Sequence, residues 1–102
     1  MSEIEKIIKR YSLKLKENKF KFSEIYLFGS QASGKSKQWS DIDIAIVADM
    51  AKITDDKRLL LWKIRRTIDL RIEPHPFTKK DFYDERNVIA SEIKKNGRRI
   101  TL

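Results

Sequence analysis

Asp41 and Asp43 stand two residues apart, with Ile42 and Ile44 interleaved. In an extended strand successive side chains alternate, so both carboxylates face one way and both isoleucines the other. Upstream, Phe28 leads into Gly29-Ser30-Gln31-Ala32-Ser33-Gly34, a turn of small residues. Glycine lets backbone N–H groups come close to phosphate oxygens, and serine adds a hydroxyl donor. Paired carboxylates suit Mg²⁺, which takes hard oxygen ligands and usually binds one or two carboxylates together with substrate phosphates. Two such ions roughly 3.5–4 Å apart can hold the attacking and leaving oxygens of an in-line displacement. That arrangement needs a third carboxylate from elsewhere in the chain. An Asp-x-Asp at a strand start also occurs as a merely solvated edge; the Gly-Ser turn and the apolar strands on both sides favour the site.

The elements that position these residues follow from periodicity. Ile4, Ile7, Ile8, Tyr11 and Leu15 share one face, so residues 2–18 read as a helix, with Ser2 and Glu5 as a capping box. Residues 24–28 form an apolar strand ending in the Gly29-Ser30 turn, and residues 31–39 form a loop with room for one helical turn. Residues 41–47 form a second strand whose apolar tail is buried on both faces. Thr54 caps a helix running to about Thr67, with Asp55 and Asp56 in its positive first turn and Leu60, Leu61, Trp62 and Ile64 as core. Base stacking is the lesser reading of Trp62.

Residues 68–73 alternate and are expected to form a third strand, with Asp69, Arg71 and Glu73 on one face. Pro74-His75-Pro76 is expected to end it, because proline cannot donate to a ladder. His75, the single histidine, reads as structural or surface, with general-base chemistry the alternative. Thr78 with Asp81 caps a last helix carrying Phe82, Val88, Ile89 and Ile93, broken near Asn87 and stopped by Gly97 as a C′ residue. Residues 98–102 are left for an edge strand.

A chain of 102 residues points to one domain over 1–102. The fold class is α/β (α+β): a mixed sheet of three or four strands with helices packed mainly on one face. The absence of cysteine excludes a disulfide scaffold and cysteine-based zinc or redox sites, and fits a reducing, cytoplasmic setting. No leader-like segment and no apolar run of membrane-spanning length is present. The net charge of +8 suits a polyanionic partner, but the cations are scattered and do not alternate with aromatics, so most read as solvated surface.

Gly29 to Ser36 also fits G-x-x-x-x-G-K-S, the pattern of a phosphate loop. That loop needs a long helix starting at Lys35-Ser36. Only four residues separate Ser36 from the next strand, so the match is coincidental.

Apolar-Gly-Ser, a spacer with a second glycine, then Ser40-Asp41-Ile42-Asp43-Ile44 resembles the signature of the DNA polymerase beta-like nucleotidyltransferases. The length is most similar to their minimal nucleotidyltransferase domains. The resemblance runs from about Ile25 to Phe82, and more weakly to Thr101. It implies Mg²⁺-dependent transfer of a nucleoside monophosphate, with ATP as default donor, to an acceptor hydroxyl with release of pyrophosphate. Asp41 and Asp43 would bind the metal. The third metal-binding and catalytic carboxylate would come from an adjacent strand, for which Asp69 fits best and Glu73 is the reserve. Gly29, Ser30, Ser40 and Lys35 are assigned to the nucleotide. Family members often carry arginine or lysine in the spacer where this chain has Gln31 and Ser33. Small members of the family pair with helical HEPN-domain proteins as antitoxins, and some transfer AMP to a tyrosine of the toxin, so a HEPN-type partner is the expected acceptor. The alternatives are a non-catalytic antitoxin or binding module of the same fold, and a basic nucleic-acid-binding protein.

Overall fold

The computed structural model describes residues 2–37 and 39–102. Gln38, within the expected loop, lies outside the described residues. The elements run α1 (Glu3–Glu17), β1 (Phe22–Phe28), α2 (Ser30–Ser33), β2 (Ile42–Ala48), α3 (Asp55–Arg65), β3 (Ile72–Thr78), α4 (Lys79–Phe82), α5 (Val88–Asn96) and β4 (Arg98–Arg99). The strands form one mixed sheet in the order β3-β2-β1-β4. β1 runs antiparallel to β2 and β4, and β2 runs parallel to β3 through the α3 crossover.

Local signals account for most helix boundaries. Ser2 Oγ accepts from the Glu5 amide, Thr54 Oγ1 from Lys57 and Thr78 Oγ1 from Asp81, each meeting one of the unpaired donors of a first turn. Asn87 Oδ1 accepts from Ala90 and starts α5. The chain is not helical at Lys35-Ser36, since α2 ends at Ser33.

The even-numbered residues of β2, Ile42, Ile44, Ile46 and Ala48, point to the larger core under α1 and α3, with Ile7, Ile8, Tyr11, Leu15, Leu61 and Ile64. The odd-numbered Ala45 and Val47 point to the opposite face, where Phe82 of α4 and Ala90 and Ile93 of α5 cover them. Each fully buried isoleucine contributes about 1.5–3 kcal/mol relative to exposure. Tyr11 ties the two long helices together: it is fully buried and its hydroxyl donates to the Leu61 carbonyl at 2.8 Å. Tyr11→Phe is expected to lower the unfolding free energy by about 1 kcal/mol, read as a shifted urea midpoint at unchanged slope.

Three expectations are corrected. The strand expected over residues 68–73 is instead β3, Ile72–Thr78, and contains both prolines. After α3 the chain keeps coiling: the amides of Thr67, Ile68 and Asp69 donate to Ile64, Arg65 and Arg65 carbonyls at 2.9–3.1 Å. Residues 68–71 are therefore a helix exit. The ladder begins where Ile42 N donates to the Arg71 carbonyl at 2.7 Å. In that phase residues 73, 75 and 77 present their amides to β2, and positions 74 and 76 face the open edge, where a proline loses nothing. Second, Trp62, Val88 and Ile89 are exposed, because only Leu61 and Ile64 of α3 are buried and only Ala90 and Ile93 of α5 reach the sheet. Third, Gly97 is extended rather than left-handed. A Cβ there would come within 2.5 Å of the Ile93 carbonyl oxygen, so close backbone approach is what demands glycine.

Candidate active site

The site lies at one end of the α4/α5 face. β1 delivers Gly29 beside the start of β2, in register Phe28↔Asp43, and β3 sets Glu73 opposite Asp43. Because residues 43, 73 and 75 share a face, Asp43, Glu73 and His75 converge: one ligand atom from each lies within 4.8 Å of the others. Asp43 is held on two sides. Its Oδ1 stands 3.2 Å from His75 Nε2, and its Oδ2 faces Gly29. The His75 ring packs edge-on against Phe28, with centroids 5.1 Å apart.

The electrostatics mark the cluster as short of positive charge. The Glu73 carboxyl is raised above its ordinary value, first by burial, then by a hydrogen bond with Asp43 and by the charges of Asp41 and Asp43. His75 acts in the opposite sense. A carboxylate cluster of this kind is relieved by a bound cation or a proton.

Asp41 lies one residue before β2, exposed, and its charge reaches Glu73. Asp69 is not part of the cluster. It stands in the helix exit, where its Oδ1 accepts from the Arg71 amide at 2.9 Å and from Arg71 Nε at 3.0 Å, and its Oδ2 from Arg71 Nη2 at 2.9 Å. These bonds hold the Asp69 carboxyl below its ordinary value. Lys35 is exposed in the loop after α2. Ser40 secures that loop: its Oγ accepts from the Lys37 amide at 2.8 Å, and its carbonyl from Gln31 Nε2 at 3.2 Å. His75, read from sequence as surface or structural, is brought into the cluster. The signal that could have found it is the two-residue spacing from Glu73, hidden by reading the prolines as a strand end.

The Gly29-Ser30 turn has the conformation such a site requires. Gly29 has φ 74 and ψ −154, a region open to glycine almost alone. The amides of Ala32 and Ser33 donate to the Gly29 carbonyl at 3.2 Å, so those of Ser30 and Gln31 are the donors this turn leaves for an anion among the described residues. The donor set also fits a divalent cation: Asp43 and Glu73 supply adjacent hard oxygens. A Cβ at Gly29 would stand 2.6 Å from Asp43 Oδ2, so the space between turn and carboxylate is kept open by glycine.

Comparison with known proteins agrees with this geometry. The model of the polymerase beta nucleotidyltransferase family matches residues 3–101. A protein of Methanocaldococcus jannaschii, provisionally named a protein adenylyltransferase, is 46% identical over 46 residues, or 45% of this chain. That match spans 52% of the relative, about half its length. Among solved structures, a toxin-antitoxin crystallised with AMP-PNP superimposes with a TM-score of 0.66 at 26% identity, covering 95% of this chain and 72% of that one. A mutant of the toxin-antitoxin MntA-HpeT does so with a TM-score of 0.65 at 25% identity, covering 98% and 73%. With a family match over nearly its whole length, the chain belongs to the polymerase beta family of nucleotidyltransferases, as a minimal nucleotidyltransferase domain.

Proposed function

We propose that the chain transfers AMP from ATP, with Mg²⁺, to a hydroxyl of a partner protein, as the antitoxin half of a toxin–antitoxin pair. The observation that carries this reading is the convergence of Asp43 and Glu73 beneath the Gly29-Ser30 turn. The relative named an adenylyltransferase supports AMP as the group transferred, and the toxin-antitoxin neighbours support a protein partner. That partner is of HEPN type, as the resemblance of the sequence implies.

In this reading the amides of Ser30 and Gln31 receive the triphosphate. Asp43 and Glu73 hold the Mg²⁺, with Asp41 at the margin contributing charge. When bound, the ion supplies charge neutralisation on the transferring phosphate and the departing pyrophosphate. Glu73, which β3 sets opposite Asp43, takes the proton of the acceptor hydroxyl. This assigns to Glu73 the part that the sequence had offered first to Asp69. Catalysis rests on positioning and electrostatics, with no covalent intermediate.

The acceptor reaches the site along the open edge of β3. There a cleft of about 280 Å³ is lined by His75 together with Arg58, Trp62, Pro74, Phe77 and Ile89. Trp62 and Ile89 are exposed apolar groups beside it, as expected where a partner covers them.

Titration of the protein with ATP and Mg²⁺, followed by NMR, tests the site. Mg²⁺-dependent shifts are expected at Gly29, Ser30, Asp43 and Glu73, and are expected to vanish in Asp43→Asn. A folded protein without such shifts at millimolar ATP would exclude a competent site in this chain and favour the second reading, a binding module of the same fold. One observation leans that way: the Gln31 side chain donates its Nε2 to the Ser40 carbonyl, so this position offers no cation to a phosphate.

A further inference from the structure

We propose that His75 Nε2 is itself a ligand of the cation held by Asp43 and Glu73, so that the site accepts first-row transition ions, Mn²⁺ among them, in preference to Mg²⁺. This rests on the reading above and adds what selects the metal. The donor set is mixed, two carboxylate oxygens and one imidazole nitrogen within 4.8 Å of one another. Mg²⁺ is bound at about 2.0–2.1 Å by ligands that are almost all oxygen, with octahedral geometry. Imidazole instead suits Fe²⁺, Ni²⁺, Cu²⁺ and Zn²⁺, and Mn²⁺, which carboxylates also suit, stands at the foot of the same affinity series and serves as the paramagnetic probe.

The spacing fits ligation. Adjacent ligands of an octahedral ion stand about 3 Å apart, the square root of two times the bond length. His75 Nε2 and Asp43 Oδ1 are 3.2 Å apart. The ring is fixed by β3, whose position 75 pairs with Ala45, and by edge contact with Phe28. The glycine at position 29 keeps the other side of Asp43 free of side-chain carbon, since a Cβ would stand 2.6 Å from Oδ2.

The competing role is outer: His75 only donates a hydrogen bond to Asp43 and never touches the ion. Pulsed electron paramagnetic resonance separates the two. Metal-free protein is loaded with Mn²⁺ alone, and the nitrogen modulation of a directly bound imidazole is sought. Wild type is expected to show it, and His75→Asn and His75→Gln to lose it. Isothermal titration with Mn²⁺ and with Mg²⁺ gives the preference, and the ratio of the two affinities is expected to fall by on the order of tenfold in either variant. Bound Mn²⁺ without nitrogen modulation in the wild type would overturn His75 as ligand while leaving the carboxylate site standing. No Mn²⁺ binding at any concentration up to millimolar would overturn both. Circular dichroism of the variants confirms that a lost signal is not lost fold, and the wild-type spectrum decides the question without them.

Discussion

Glu73→Gln is expected to lower transfer of α-labelled AMP to the acceptor protein by about 10³-fold, whereas Asp69→Asn leaves the rate near wild type. The two substitutions should have the reverse order in stability. Asp69 is 17% exposed and anchors the turn between α3 and β3 through three bonds to Arg71, so its loss should cost about 1 kcal/mol. Its carboxyl is held low in the folded state, so this contribution is present above the unfolded-state value and is lost as pH falls through the folded one. Glu73 behaves oppositely. Its folded-state value is raised, so between the unfolded and folded values the native state binds more protons and stability falls as pH rises. Above that window the charged Glu73 works against folding of the metal-free protein. Glu73→Gln should therefore be at least as stable as wild type at pH 7, with the difference closing below the ordinary carboxyl range. Denaturant midpoints across pH, without metal, measure this. Activity lost in Asp69→Asn and kept in Glu73→Gln would return the third carboxylate to the helix exit.

The contrast between these two residues shows which parts of the site could be read from the chain. Asp43 and Gly29 were legible because each follows a local rule: alternation along a strand, and a glycine where the backbone turns sharply. Helix starts were legible for the same reason, since Ser2, Thr54 and Thr78 each cap with their own side chain. The identity of the third carboxylate depends instead on register between β2 and β3, a pairing across an α3 crossover, and on where α3 stops coiling. Alternation over residues 68–73 suggested a strand, but the backbone there bonds back to Ile64 and Arg65. Proline spacing was the cue that pointed the other way. Two prolines two residues apart can both face an open edge, and β3 is an edge strand. Reading Pro74-His75-Pro76 as strand would have put Glu73 and His75 on one face beside Asp43. The exposure of Val88 and Ile89 was equally beyond local pattern, because an apolar residue at helix spacing does not say whether the sheet extends far enough to meet it.

Gly29→Ala is expected to lower transfer by on the order of 10²-fold and stability by about 1–3 kcal/mol, with separable causes. The stability cost comes from the backbone, since φ 74 with ψ −154 is a conformation that side chains with a Cβ resist. The activity cost comes from the site. The added Cβ would stand 2.6 Å from Asp43 Oδ2 and 3.4 Å from its Cγ, so the carboxylate must turn away, breaking its alignment with His75 and Glu73. Gly34→Ala is the control. Gly34 also has positive φ, at 76, but nothing lies within 4 Å of a Cβ built on it. Its substitution should cost on the order of 1 kcal/mol and leave Mg²⁺-dependent ATP shifts at Asp43 intact. Thermal or urea unfolding paired with the ATP titration reads both effects for both variants. If Gly34→Ala impairs nucleotide binding as much as Gly29→Ala, the flexible setting of the whole turn matters, and the contact with Asp43 does not. If only Gly29→Ala does so, the turn and the carboxylate act as one unit, with glycine at position 29 chosen by the atom it faces as much as by the bend it makes.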